Sequence, residues 1–441
     1  MVRNINEMVK ELVTSDELAV KEKCLDEIWA EAVKKGIYPA SIQELYESRG
    51  KQEVSGFTVP AINLRGLTYI LAQAIFRVAK KNNAGAFIFE IAKSEMGYTN
   101  QRPAEYVGVC LAAAVKENYQ GPVFIQGDHF QVNAKKYSQD PAKEIQGIKD
   151  LIKESIASGF YNIDIDTSTL VELEKPSVKE QQKLNYEVCA ELTKYIRSIE
   201  PKGITVSVGG EIGEVGSKNS TPEELDAFMG GYLQTLSKGI KGISKISVQT
   251  GTSHGGVVLL DGTIAKVKLD FEVLRSISKI GKEKYGIAGS VQHGASTLPA
   301  EAFGKFPEVE AAEVHLATEF QNMIYENKHF PAELRKKMYD WLHQNAQEEK
   351  KPDMTEEQFI YKARKKALGP FKKDMYNIPA KELEGIGQEL EAKFDFLFGQ
   401  LKLKDTKNLV KQYITDVKDI VRRHDLMDIK KGGKMSSEGA D

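Results

Sequence analysis

The chain has 441 residues, and its 61 basic and 63 acidic residues give a formal net charge of −2. Hydrophobic residues make up 41% and charged residues 28%, which is typical of a globular protein. This balance excludes a strongly basic nucleic-acid-binding chain, and no apolar run is long enough to span a bilayer. The N-terminus lacks the pattern of a signal peptide, and three widely spaced cysteines predict no disulfide framework, so we expect a cytoplasmic protein.

Helical patterns occupy both ends of the chain. In residues 1–50, apolar side chains recur at helical spacing, as at Ile5, Met8, Val9 and Leu12, and this predicts an N-terminal helical extension. Residues 321–430 return to helical patterns that prolines interrupt, and they predict a C-terminal helical region. The tail at 431–441 is expected to be disordered.

Between these ends, residues 51–320 alternate short apolar runs with helical segments, which is typical of a parallel sheet. The eight runs are 57–62, 86–91, 123–126, 161–165, 204–208, 243–248, 285–291 and 311–316. Eight such units predict an α/β fold, a (β/α)8 TIM barrel with N-terminal and C-terminal helical extensions. The alternative is a doubly wound open sheet, but no G-x-G-x-x-G follows the first strand, which weakens its dinucleotide-binding version.

Three histidines follow predicted strands, at the end where barrel enzymes carry their functional residues. His129 ends the third strand, His254 follows the sixth, and His293 ends the seventh. Three imidazoles at one mouth form the ligand set of a catalytic zinc site, which keeps a fourth position for substrate. A hydrogen-bonded structural role is the simpler interpretation of any one of them, whereas three equivalent positions favour a metal.

Other polar and small residues are predicted at the same mouth. Asp128 precedes His129, and its carboxylate could exchange a proton with a substrate hydroxyl or merely orient a neighbour. Glu211 follows the fifth strand and could approach the same metal. Gly294, Ser296 and Thr318 follow the seventh and eighth strands, where many barrels bind phosphate, although such glycines also form ordinary tight turns.

Motifs over residues 56–320 carry a resemblance to a known family. In chain order they are GFTVPAIN, GDH, GFYNIDIDTS, EIG, GTSHGG, QHGAS and VHLATEF. They resemble the class II, zinc-dependent fructose-bisphosphate and tagatose-bisphosphate aldolases. The resemblance implies that His129, His254 and His293 bind zinc, that Glu211 lies beside the metal, and that Asp128 transfers the proton.

The same resemblance implies a substrate and its binding residues. The substrate is a phosphorylated ketose, which is cleaved to dihydroxyacetone phosphate or an analogue. The phosphate-binding residues implied are Ser94, Gly255, Gly294 and Ser296. We also expect a monovalent cation near the phosphate site, a homo-oligomer (dimer or tetramer), and no nucleic-acid or membrane partner.

Three positions depart from the family pattern. Asn219 stands where the family has a mobile-loop glutamate, and Glu214 is the nearby acid that could replace it. His315 stands where an asparagine faces the substrate, so we assign it to substrate binding. Phe130 follows the histidine of the D-H pair, where the family has glycine, and it is expected to narrow or reshape the mouth. These departures concern the substrate rather than the metal.

Two other functions are compatible with parts of this pattern. A non-catalytic, regulatory barrel that binds sugar phosphate is favoured by Asn219, but the intact Asp128 and the three histidines argue against it. A different metal-dependent barrel enzyme, such as a hydrolase, would need a bridging lysine or further aspartate ligands. The sequence does not identify those residues.

Overall fold

A computed structural model describes residues 3–213, 218–251 and 269–415 of the chain. The predicted site residues Glu214, His254 and Gly255 lie outside the described residues, as does the tail at 431–441. The division into domains at residues 50, 320 and 430 stays a prediction.

Within the described residues, nine strands form one parallel sheet, and eight of them close into a barrel. The strands are β1 (Ile37–Ala40), β2 (Val59–Asn63), β3 (Ile88–Ala92), β4 (Gly121–Gln131), β5 (Asn162–Asp166), β6 (Ser207–Glu211), β7 (Lys245–Val248), β8 (Ser290–Gln292) and β9 (Glu313–Leu316). Each strand from β2 to β8 pairs with the next strand in the chain, and β9 pairs with β2 to close the ring. The predicted (β/α)8 barrel is confirmed.

All eight predicted strands are present, with shifted ends. The runs predicted at 204–208 and 285–291 begin before β6 and β8, because the preceding residues Ile204 and Ile287 are buried without belonging to the ladder. An apolar pattern records burial rather than strand pairing, so it overstates the strand where the chain enters the core.

Helices surround the barrel between the strands. They are α4 (Thr68–Lys81), α5 (Lys93–Tyr98), α6 (Pro103–Lys116), α7 (Ala134–Gln139), α8 (Pro141–Ser158), α9 (Val178–Gln181), α10 (Lys183–Ile199), α11 (Pro222–Leu236), α12 (Phe271–Ile280), α13 (Lys305–Glu308) and α14 (Thr318–Glu326). Helix α11 shows how the sequence sets such a boundary, because Thr221 caps the amide of Glu224 and Pro222 occupies the first turn.

The N-terminal extension contains α1 (Ile5–Thr14), α2 (Leu18–Lys34) and α3 (Gln43–Gly50). Met8, Val9 and Leu12 form the buried face of α1, as their spacing predicts. Strand β1 is an addition to the predicted helices, and it pairs with the first four residues of β4 outside the closed ring. Its four residues carry too short a pattern to be recognised without that partner.

The C-terminal extension contains α15 (Ala332–Asn345), α16 (Glu356–Ala363), α17 (Lys372–Tyr376), α18 (Ala380–Gln400) and α19 (Thr406–Tyr413). Helix α18 packs along α4, and its Phe394 and Phe398 are buried. Near the mouth, the amide of Gly369 donates a hydrogen bond of 2.9 Å to the carbonyl of Tyr98 at the end of α5. The C-terminal extension therefore contacts the loops that follow the barrel strands.

All three cysteines carry free thiols and are buried. Within the part of the chain that the structure describes, no helix combines the length and the apolar character needed to cross a membrane.

Gly50, the last residue of α3, allows a close approach to the loop before β8. A Cβ atom added there would lie 2.0 Å from the carbonyl oxygen of Gly286, so the backbone would have to move. We expect Gly50→Ala to lower the free energy of unfolding by about 1–3 kcal/mol, the usual cost of overpacking. Urea denaturation followed by circular dichroism measures this change.

The matched control is Gly147→Ala, in the exposed face of α8, where an added Cβ meets nothing within 4 Å. That variant should gain about 0.5–1 kcal/mol, because alanine replaces glycine inside a helix. Equal stability of the two variants would contradict the packing role of Gly50.

Candidate active site

A β-bulge brings the side chains of both Asp128 and His129 close to His293. The pairing of β4 with β5 shifts register between Gly127 and Phe130, and His129 has a φ of 38°. Regular alternation would send the two neighbouring side chains to opposite faces, whereas a bulge re-aims one of them. Both side chains approach His293: the Asp128 Oδ1 lies 3.6 Å from its Nε2, and the ring centroids of His129 and His293 are 4.1 Å apart.

The side chain of Phe130 packs against Gly127 at the bulge. It is completely buried, and its ring occupies the space beside Gly127, where an added Cβ would lie 2.4 Å from the ring. The phenylalanine was expected to reshape the mouth, but its contact with Gly127 gives it a packing role within the core.

Among the described residues, three groups of buried side chains could hold a metal ion: Asp128, Asp164, His293 and His315; Glu90, Glu313 and His315; and His129, Glu211 and His293. We call the last of these the candidate metal group, because the family resemblance places all three of its members at the metal. One ligand atom from each of these buried residues lies within 4.8 Å of the others. The His129 Nδ1 is 3.4 Å and the His293 Nδ1 is 4.0 Å from the Glu211 carboxylate. Imidazole nitrogen and carboxylate oxygen are the donors that zinc takes in catalytic sites, so these residues fit such an ion.

Asp166, the last residue of β5, supports this group. Its Oδ2 lies 3.2 Å from the His129 Nδ1 and accepts a hydrogen bond of 2.6 Å from Gln131. A carboxylate beside a metal-binding imidazole commonly fixes the orientation of the ring. No role was assigned to Asp166 from the sequence, although its place at the end of a barrel strand was a usable signal.

Carboxylates crowd the candidate metal group. Burial and the nearby Asp166 raise the pKa of Glu211 to about 7. Although burial works against it, Asp128 and Glu211 hold the pKa of His129 well above its ordinary value. Acidic groups held this close together in a buried site favour a bound cation, which would relieve their mutual repulsion.

Deeper in the barrel lies an inner polar cluster, of which the sequence analysis assigned a role only to His315, as a predicted substrate-binding residue. Its six members are buried side chains of the barrel strands: Glu90, Gln126, Asp164, Lys245, Glu313 and His315. The Lys245 Nζ lies 3.0 Å from Asp164 and 2.8 Å from the Gln126 Oε1, and it also contacts Glu313. The sequence signal for these residues was their polar character within buried strands, of which β5 and β9 each carry more than one polar residue.

The two carboxylates nearest Lys245 differ in their protonation equilibria. Burial raises the pKa of Asp164 to about 6. Burial acts in the same direction on Glu313, but Lys245 and His315 outweigh it and lower the pKa of Glu313 to about 2. Glu313 therefore stays ionised, and its ion pair with Lys245 lies at the centre of the inner polar cluster.

The predicted phosphate-binding residues that the structure describes follow three of the barrel strands. Ser94 is buried in α5, directly after β3. Gly294 follows β8 with a φ of 66°, and the hydroxyl of the buried Ser296 accepts a hydrogen bond of 3.4 Å from the amide of Glu319. Thr318 begins α14 after β9. Ser296 and Thr318 therefore follow neighbouring strands, β8 and β9, whereas Ser94 follows β3, which β2 separates from β9.

Asn219, which stands where the family has a loop glutamate, belongs to the described residues. Asn219 is half-buried, and its amide donates a hydrogen bond of 3.1 Å to Asp270, the residue that caps α12. Glu214, the acid predicted to replace that glutamate, lies outside the described residues, as do His254 and Gly255.

A closed parallel barrel with a buried group of imidazoles and carboxylates defines the protein as a (β/α)8-barrel with a candidate metal centre. Residues 45–387 match the family described as fructose-bisphosphate aldolase class-II. The chain belongs to this family, and it is therefore an enzyme of the aldolase type.

Two solved bacterial structures share this fold, and a third bacterial structure is similar with a TM-score below 0.5. Fructuronate-tagaturonate epimerase from Cohnella laeviribosi has a TM-score of 0.57 and 11% identity over 90% of each chain. A probable tagatose 6 phosphate kinase from Sinorhizobium meliloti 1021 has a TM-score of 0.52 and 14% identity over 80% of this chain and 93% of its own. Fructose-bisphosphate aldolase from Campylobacter jejuni has a TM-score of 0.48 and 17% identity over 83% and 96%.

Identities this low show a shared fold and no more. No curated protein matches the chain in sequence.

Proposed function

We propose that the protein is a zinc-dependent aldolase that cleaves or forms a carbon–carbon bond in a phosphorylated ketose. The observation that carries the proposal is the buried candidate metal group in contact with Asp128, in a chain of the class II aldolase family. His129, His293 and Glu211, together with His254, would hold the ion. Bound zinc would polarise the ketone of the substrate as a Lewis acid.

Asp128 supplies the proton transfer in this proposal. Its carboxylate accepts the proton from the hydroxyl one carbon beyond the scissile bond. The electron pair of that O–H bond forms the carbonyl of the departing aldehyde, and the pair of the broken carbon–carbon bond stays with the ketone fragment. Protonation of that fragment yields dihydroxyacetone phosphate or an analogue, and we assign that step to Glu214.

The remaining assignments concern the substrate. We propose that Ser94, Gly255, Gly294, Ser296 and Thr318 bind its phosphate, with a monovalent cation nearby. A cytoplasmic homo-oligomer is part of the same proposal, and it is supported by the family alone.

Aldolases can also work through an imine on a lysine, and Lys245 is a buried lysine of the barrel. Burial alone would lower the pKa of Lys245 and favour its neutral amine. The carboxylates of Asp164 and Glu313 outweigh that effect and raise the pKa of Lys245. A protonated amine cannot attack a carbonyl, so these contacts favour the metal route.

Chelation tests the proposal directly. We expect chelator treatment to lower retro-aldol activity at least about 100-fold, since Lewis-acid catalysis supplies several kcal/mol, and added zinc should restore it. The measurement is a coupled assay for triose phosphate release across a panel of ketose phosphates, with magnesium as the control ion.

Two outcomes would decide against the zinc aldolase. Full activity in chelator, with borohydride trapping of substrate on a lysine, would show an imine mechanism. Binding of ketose phosphates without turnover of any would favour the regulatory barrel, to which the substitution at Asn219 points.

A further inference from the structure

Asp128 has a histidine neighbour that is not a member of the candidate metal group. The Asp128 Oδ1 lies 3.2 Å from the Nδ1 of His315, closer than the 3.6 Å to the Nε2 of His293. The same His315 Nδ1 is 3.0 Å from Glu90, so it lies between two carboxylates. Both Asp128 and His315 are buried, so water offers little competition for these contacts.

The other nitrogen of His315 is held from the opposite side. Its Nε2 lies 2.7 Å from the Glu313 Oε1. Glu313 and His315 are two residues apart on β9, so their side chains share the face that points into the barrel.

Glu313 is itself fixed by neighbours from around the barrel. Its carboxylate accepts a hydrogen bond of 2.9 Å from the Gln126 Nε2, and it contacts the Lys245 ammonium and the Tyr46 hydroxyl. Three partners on different elements leave this carboxylate little freedom to move. A continuous series of contacts therefore runs from Lys245 through Glu313 and His315 to Asp128.

We infer that His315 is a positioning residue that fixes the Asp128 carboxylate for proton transfer, with Glu313 and Lys245 anchoring the imidazole. The inference rests on the proposed function, because it assigns a task to Asp128. A reacting group must be held near its productive geometry, and displacement by about 1 Å can cost about 100-fold in rate. The series gives the short side chain of Asp128 support from residues of β7 and β9.

His315→Gln tests the inference, because glutamine keeps a polar side chain but cannot span from Glu313 to Asp128. We expect kcat for cleavage to fall about 10–100-fold, the usual cost of losing a supporting contact. KM and zinc content should stay close to wild type, whereas the melting temperature should fall, because buried carboxylates lose a partner. The matched control is His329→Gln in the C-terminal extension, where the imidazole makes a similar contact of 2.8 Å with Glu382.

A partial reaction separates positioning from general damage. Exchange of the carbon-bound proton of dihydroxyacetone phosphate with D₂O, followed by NMR, needs the ketone to be polarised but does not use Asp128. His315→Gln should therefore retain exchange while losing cleavage. If exchange and cleavage fall together with zinc content, His315 supports the whole site and the inference is wrong.

Glu313→Gln provides a second variant that leaves His315 and Asp128 in place. It should lower kcat in the same selective way, because the imidazole loses its anchor. Normal cleavage by both variants would overturn the inference while leaving the proposed function intact. A wild-type protein with neither cleavage nor exchange would overturn the proposed function, and the inference with it.

Discussion

Asp128→Asn should cleave the ketose phosphate about 10²–10⁴-fold more slowly than the wild-type protein, the usual contribution of a positioned general base. The amide has nearly the shape of the carboxylate, so it can occupy the same place between His315 and His293. It cannot accept the hydroxyl proton. The effect should therefore appear in kcat, with zinc content unchanged, in a steady-state assay supported by metal analysis.

The control for this substitution is Asp140→Asn. Asp140 is exposed and caps α8, and asparagine is an equally good capping residue, so neither stability nor activity should change. A raised KM with normal kcat would instead assign Asp128 to substrate binding. Loss of zinc would make it a metal ligand, contrary to the proposed mechanism.

Lys245→Met should lower the free energy of unfolding by about 3–5 kcal/mol, because removal of one partner leaves a buried charge uncompensated. Lys245 is 1% exposed and contacts the carboxylates of Asp164 and Glu313. Methionine fills a similar volume, so the loss measures the missing charge rather than a cavity. Chemical denaturation followed by circular dichroism and by tryptophan fluorescence gives the change.

Two comparisons isolate the electrostatic origin of that loss. Lys336→Met removes an exposed partner of Asp340 on α15, and it should cost no more than about 0.5 kcal/mol. Adding Glu313→Gln to Lys245→Met removes one stranded carboxylate and should recover part of the stability. Unchanged stability of Lys245→Met would mean that the ion pair with Glu313 contributes nothing to the native state.

The fold was predictable because its signals are local and repeated. Eight apolar runs separated by helical segments required no knowledge of long-range contacts, and a closed barrel is the standard arrangement of eight such units. Strand β1 was not predictable in this way, because its four residues depend on pairing with the start of β4, more than eighty positions away. The first helices were recognised because their buried faces recur at helical spacing.

The candidate site was only partly predictable. His129 lies near the end of β4 and His293 directly follows β8, and their approach to each other follows from the barrel geometry. The placement of both Asp128 and His129 on one side depends on a bulge, which breaks the alternation used to read strands. Lys245 and Glu313 are 68 positions apart in the chain. The sequence of neither strand indicates that the two side chains meet inside the barrel.

The bulge in β4 also limits how this site can change over generations. It contains one residue more than the regular pairing with β5 requires. A deletion that restored regular pairing would turn either Asp128 or His129 toward the surrounding helices. Under the proposed mechanism, such a deletion would therefore remove one of the two tasks, metal binding by His129 or proton transfer by Asp128, and the strand can carry both only while the extra residue is kept.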